Sequence, residues 1–467
     1  MLAFCGLAVV WSLATVRAQA PAAQAEYSQD DLDPNGKDYR KIVSSTGDEE
    51  RNVIVQMCNG ETDIENGRFE NYFKKIVFPH FTRLSVAVVP PDNKKNLVPR
   101  TILPLMRAEF KKTFFSRSIT NTGIAKTARD KLNGMLTERL YQIANNQDQA
   151  GQAKNYHPLV RFHAAMFLGE LMDDTAAGGP PYRPALKNLV LLSITKSTPN
   201  VPDSIRVIAL KGVLNHLRQY KQHDPTFVNV INKSVVEPWL SIKDLPSKEL
   251  PATSRTTHDG LDWIQRRVIE IAVEANAKAA DPTKPPVPRL PELLLGIAAN
   301  EPSGVEVRLA ALNALAGMKD LPATVKIDDV TKAAGMIGVA AVRRQLTDIQ
   351  NQPVPPDAAK PLKHDLTTLE TALTALSKKS DKIAKLQQSV DDVKVACDTL
   401  WEETQDPNAL YKSIQKTGAQ LDMLVGGKET SSLNPDFVKI PKGFSGGGAG
   451  GTGFGGFRPG GGGGGER

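Results

Sequence analysis

The stretch PLVRFHAAMFLGEL, residues 158–171, sets Val160, Ala164, Leu168 and Leu171 at intervals of four, four and three, with Arg161 directly after Val160. Apolar residues at that spacing line one face of a helix, and the small Ala164 lets a neighbouring helix approach closely. The same order returns as Val307, Arg308, Ala311, Leu315 and Ala316, and more weakly as Ile205, Arg206, Ala209 and Val213. A fourth, degenerate copy runs from Arg266 to Val273. Each copy follows another helical stretch: 125–144, 184–196 and 290–299 precede the first three, and the fourth lies within an amphipathic run over 261–275. One helix pair cannot cover its own apolar face, so repeated pairs predict an array in which neighbours share a continuous core.

Counted from Arg to Arg, the copies stand 45, 60 and 42 residues apart. An aliphatic-Arg pair followed at fixed offsets by Ala and Leu resembles the second helix of HEAT repeats, whose period is about 40 to 47 residues. The long middle interval implies an insertion, for which the proline-containing stretch 245–257 is the natural place. The resemblance implies an all-α, HEAT-like α-solenoid, with the repeats over 125–345. It also implies a non-enzymatic scaffold that binds an unidentified protein partner and needs no cofactor. Some HEAT-like proteins are lyases acting on bilin chromophores, which leaves a lyase as a lesser alternative. In the family the Arg often pairs with an acidic residue in the preceding turn. Here Asn155 and Asn200 stand six residues before Arg161 and Arg206, which argues against a charged ladder.

At 467 residues, with 40% apolar and 23% charged side chains, the chain has the composition of a folded soluble protein. Residues 2–16 are uncharged and rich in Leu, Ala and Val, and small residues follow at Ala18, Ala20, Ala23 and Ala25. Residues 1–25 are therefore expected to be a secretory signal peptide cleaved after Ala18 or Ala25, and the protein to be exported to the periplasm, cell envelope or extracellular space. Beyond it remain Cys58 and Cys397, so no disulfide framework is expected. A bridge between them and two separately buried thiols both stay open.

The net charge of +7 is unevenly spread. Residues 26–65 hold eleven Asp or Glu against four Lys or Arg and are expected to form an acidic, largely extended leader. Asp31, Asp33, Asn35 and Gly36 echo the first half of a calcium loop, but Ile42 replaces the closing Glu, and Asp33-Pro34-Asn35-Gly36 is also an ordinary turn. Residues 66–140 reverse the balance, with fifteen basic residues against five acidic ones. Eight aromatics recur there at helical spacing, from Phe69 to Phe115. Over 66–124 this predicts a basic, aromatic helical region whose rings are core and whose lysines are solvated. Alternatively Lys74, Lys75, Lys111 and Lys112 form an anion-binding patch for an anionic polymer or a membrane surface.

After a Pro-rich linker at 346–361, Leu362, Leu366, Leu369, Leu373 and Leu376 form a coiled-coil-like seam that continues through Ile383, Leu386, Val390 and Val393 with one slip near Ser380. Long helices over 362–427 are expected, either as a hairpin on the end of the array or as a dimerisation element. Residues 428–467 are expected to be a disordered tail, fifteen of its last twenty-five residues being Gly. No two of the seven histidines have metal-ligand spacing, and no phosphate loop or nucleophile elbow occurs in the sequence. His157 and His163 are expected to be surface or packing residues.

Overall fold

The computed structural model describes residues 27–31, 48–83, 101–115, 122–173, 180–194, 201–219, 225–242, 258–277, 289–301, 303–318, 320–351, 360–377, 381–404 and 407–424. The chain is all-α: among these residues the only β-pairing is two isolated bridges, Gln147 to Ala153 and Met172 to Pro181. Residues 1–25, expected as a signal peptide, Asp33, Asn35, residues 352–359 of the expected linker and the Gly-rich tail lie outside the described residues, while 346–351 and 360–361 of that linker are helical. The chain divides into two compact units, one of residues 1–297 with 302–307, the other of 298–301 with 308–467.

The first unit begins where an extended leader was expected. Within 26–65, residues Glu49–Asn59 form helix α1. Asp48 caps its N-terminus by accepting from the Arg51 amide at 3.3 Å, and Glu49 and Glu50 complement the positive end of the dipole. Gly60, at φ 76°, stops it: Gly60 N donates to Met57 O and Glu61 N to Gln56 O, a Schellman closure that favours glycine. Ile54, Val55, Met57 and Cys58 are buried, so this acidic stretch contributes core. Helix α2, Asn66–Asn71, continues into a π-helical turn, Tyr72–Val77, and a 3-10 turn, Phe78–Thr82, and faces α3, Leu103–Phe114. The Phe73 ring lies 5.0 Å from Phe69, 5.1 Å from Phe114 and 6.1 Å from Phe110, while Phe110 reaches Phe167 at 5.6 Å. The aromatics of the basic region are thus its core.

Four longer helices follow: α4, Thr122–Ala144; α5, Pro158–Leu168; α6, Arg183–Ser193; and α7, Asp203–Gln219. A broken segment made of α8, Pro225–Ile231, a π-helical turn and α9, Glu237–Leu240, leads to α10, His258–Ala277. Consecutive members pack as pairs, α4 with α5, α6 with α7, and α9 with α10, and the second members stack in order, α5 on α7 and α7 on α10. Val160, Ala164 and Leu168, with Ile205, Ala209 and Val213, are buried as the repeated spacing predicts. At the α5–α7 crossing, Gly169 and Gly212 meet so closely that a Cβ on Gly169 would stand 3.0 Å from the Gly212 Cα. Helix α11, Leu290–Ala298, follows.

The second unit holds most of α12, Val305–Ala316, followed by α13, Ile327–Asn351; α14, Lys360–Ser377; α15, Asp381–Thr404; and α16, Pro407–Leu424. Helices α13 to α16 pack in sequence, and α16 returns onto α13, closing a four-helix bundle. The leucine seam of α14 is buried, as are Ile383, Leu386, Val390 and Val393 of α15. The bundle therefore takes in α13, much of which the repeat spacing had placed at the end of the array. Gly338 of α13 makes room for α16, since a Cβ there would meet the Leu421 side chain at 2.8 Å.

Candidate functional site

The repeated basic residue acts at helix ends. Arg161 is buried on α5, and its Nε donates to the carbonyl of Ala144, the last residue of α4, at 3.1 Å. Arg308 on α12 does the same to Ala298, the last residue of α11, at 3.0 Å. A helix C-terminus leaves carbonyls without intrahelical partners and carries partial negative charge, so a guanidinium there satisfies both. Burial holds the Arg161 guanidinium down to about 10. In the third pair the sequence pointed to Arg266, which is exposed. Its neighbour Gln265 is buried and donates to Trp239 O at 3.0 Å and Ile242 O at 2.9 Å, closing the end of α9. The second pair differs: the Ser193 carbonyl at the end of α6 accepts from the Trp239 indole at 2.8 Å, and Arg206 lies over that ring while pairing with Asp203 at 3.3 Å.

Of the four lysines singled out from sequence, two are engaged by carboxylates. Lys74 pairs with Glu70 one turn away at 2.9 Å, and Lys131 reaches the same carboxylate at 2.8 Å. Hydrogen bonds from Lys131 and Lys74 hold Glu70 down to about 2. Lys111 bonds Glu170 and lies 5.7 Å from the Phe167 ring centroid. Lys75 and Lys112 are exposed, with no ion-pair partner among the described residues.

Glu170 also accepts from Arg107 Nε at 3.1 Å, and Arg107 Nη1 approaches His163 Nδ1 at 3.2 Å. Because Arg can only donate, Nδ1 must be the acceptor, and the ring is neutral with its proton on Nε2. Burial first, and the Arg107 charge second, hold His163 down to about 4. Arg107 and His163 form the polar lip of a cavity of about 20 Å³ whose walls include Phe81, Leu103, Leu140, Ile143 and Phe167. That volume admits a water and little more. Nothing local announces this cluster, since Arg107 and His163 stand 56 residues apart.

The most specific polar constellation lies where residues 27–31 rest on the first helix pair. Tyr27 meets the His157 ring edge-on at 4.8 Å, and Ser28 exchanges two hydrogen bonds with the Asn155 backbone. The Asp30 amide donates to Thr82 Oγ1 at 2.8 Å, and its carboxylate accepts from Tyr156 Oη at 2.6 Å and from Arg139. Arg139 is 3% exposed. Asp31, considered as a calcium ligand, is exposed, and no group of three or more potential metal-ligating side chains occurs among the described residues. Cys58 is a buried free thiol pushed up to about 12 by its burial, against the opposing charge of Arg129. Among the described residues, no helix is long and apolar enough to cross a membrane. No protein-family model, curated protein or solved structure matches this chain.

Proposed function

We propose that this chain is a non-enzymatic protein-binding scaffold, built on HEAT-like helix pairs and exported to the cell envelope or extracellular space. The observation that carries the reading is the recurrent tie in which Arg161, Gln265 or Arg308 closes the end of the helix before its own. Within the first unit, the Arg161 and Gln265 ties and the second helices stacked α5 on α7 on α10 support a continuous repeat surface. Trp263, 51% exposed on α10, supplies the type of side chain that dominates protein interfaces. The test is proximity cross-linking in the native organism, with identification of the captured protein. Binding of that protein to the purified chain should weaken by about 2 kcal/mol or more in Trp263→Ala. Capture of no protein above background refutes the reading. N-terminal sequencing of the exported form should begin near Gln19 or Glu26, and an intact cytoplasmic Met1 refutes export.

A second reading, binding of an anionic polymer or lipid surface, draws support from Lys75 and Lys112, which are exposed and have no ion-pair partner among the described residues. Retention on a polyanion column should then fall steeply with salt and drop in Lys75→Ala/Lys112→Ala. Unchanged retention removes this reading.

A further inference from the structure

Arg139 presents an unusual balance of charge. It is buried on α4, and its hydrogen-bond acceptors within the helical body are neutral: Gln142 Oε1 at 3.4 Å, Gln147 O at 3.3 Å and Tyr156 Oη at 3.0 Å. Among the described residues its one carboxylate partner is Asp30, which arrives from 109 residues away. A buried guanidinium without a counterion is costly, so the body without residues 27–31 is a receptor that lacks its carboxylate. The walls of that receptor are set independently of the segment. Asn146, at φ 63°, opens the turn and accepts the Tyr156 amide at 2.8 Å. Asp148 Oδ1 accepts the Ala150 and Gln152 amides, each at 2.9 Å, and the Thr82 hydroxyl is fixed by donating to Pro79 O at 2.9 Å.

The segment itself is held in the manner of a ligand. Gln29 and Asp31 are exposed, and Tyr27, Ser28 and Asp30 are only partly covered, so none of the five belongs to the apolar core. Its grip is polar and directional: an Asp side chain read by Arg139 and Tyr156, and backbone read by Asn155 and Thr82. We propose that this surface is a docking site for extended peptide segments that present an aspartate two residues after a serine, and that residues 27–31 are its tethered resident, displaced by a partner's segment of the same chemistry. The inference rests on the scaffold reading and names the chemistry of the partner. The sixteen intervening residues, 32–47, keep the resident at a high effective concentration, so a competing segment must be abundant or itself tethered.

The test uses the full mature chain and a fluorescent peptide of sequence Tyr-Ser-Gln-Asp-Asp. Asp30→Ala frees the site and should bind the peptide about tenfold or more tightly than wild type does. Asp30→Ala/Arg139→Met should lose that gain, and a peptide with Ala for its first Asp should not bind. A measurement without substitution guards against misfolding: millimolar peptide added to wild type should speed hydrogen exchange at the Ser28 and Asp30 amides and leave α7 unchanged. The proposal is overturned if exchange at those amides is unmoved and Asp30→Ala does not bind, or if the Ala peptide binds equally well. It is also overturned if wild type is a dimer that Asp30→Ala splits, since the site then belongs to a second copy of the chain. Cross-linked capture of the same partner by wild type, Asp30→Ala and Arg139→Met leaves the scaffold reading standing and removes only this site.

Discussion

Replacing Gly212 by alanine sets two effects of known sign against each other. In the middle of α7 the change favours the helix by about 1 kcal/mol, because alanine gives up less backbone freedom. The new Cβ, however, would stand 2.9 Å from both Leu189 methyl carbons and 3.1 Å from the Gly169 Cα. Carbon atoms in contact prefer about 3.5 to 4.0 Å. Leu189 is fully buried, which leaves its methyl groups little room to turn aside, and the other obstacle is backbone. Overpacking of this kind costs about 1 to 3 kcal/mol. With backbone on one side and a buried side chain on the other, the cost falls in the upper part of that range, and the expected result is a net loss of about 1 to 2 kcal/mol. Gly134 is the control: it is exposed inside α4, and a Cβ there meets nothing within 4 Å. Gly134→Ala should therefore gain about 0.5 to 1 kcal/mol. Urea unfolding followed by far-UV circular dichroism reports both, since it senses α4 and α7 alike. The midpoint should fall for Gly212→Ala and rise for Gly134→Ala. A midpoint at or above wild type for Gly212→Ala would refute the close α5–α7 crossing.

Arg161→Met should cost about 1 to 3 kcal/mol by leaving the Ala144 carbonyl buried without its side-chain donor, whereas Arg161→Gln should cost less, since Gln265 performs the same closure with an amide. The two midpoints, read in urea, should separate in that order. His216 is fully buried, and burial holds it down to about 4 from the ordinary 6.5. The native state then binds fewer protons than the unfolded chain between those values. Stability is complete above pH 6.5 and is lost as pH falls toward 4, by about 3 kcal/mol. In His216→Leu the part of the acid loss due to this residue should vanish when midpoints at pH 7 and pH 4.5 are compared. Ala311→Phe in the second unit should overpack a fully buried position and cost about 1 to 3 kcal/mol, measured by thermal unfolding in circular dichroism.

The helix pairs were legible because their apolar spacing is local. What Arg161 and Arg308 do was not, because their partner is no acidic side chain but a backbone carbonyl, which every residue possesses. Arg266 misled by one position: Gln265, one helical step of 100° away, is the residue that faces inward. The acidic stretch 26–65 hid α1, since charge averaged over forty residues outweighs Ile54, Val55 and Met57, although Asp48 and Gly60 marked its ends. It follows that deleting the whole leader would remove core along with charge. The Asp30–Arg139 contact was beyond reach, because nothing local to either residue announces a partner 109 positions away.

The exchange of closures between the second and third pairs bears on how the first unit comes apart. Helix α4 depends for its last carbonyl on its own partner, so the first pair can open or close without stripping its neighbours of a donor. Helix α6 depends on Trp239, which belongs to the next pair, and Arg206 of the second pair leans on the same ring. Loss of the third pair thus uncaps the second. Helices α6 through α10 should behave as one cooperative block, with a free energy of opening shared along its length, while α4 and α5 form a separate block with their own threshold. The boundary between the two is marked by the glycine contact of α5 with α7, where backbone touches backbone, and is crossed by the bond from Asn188 Nδ2 on α6 to Thr137 O on α4 at 3.3 Å.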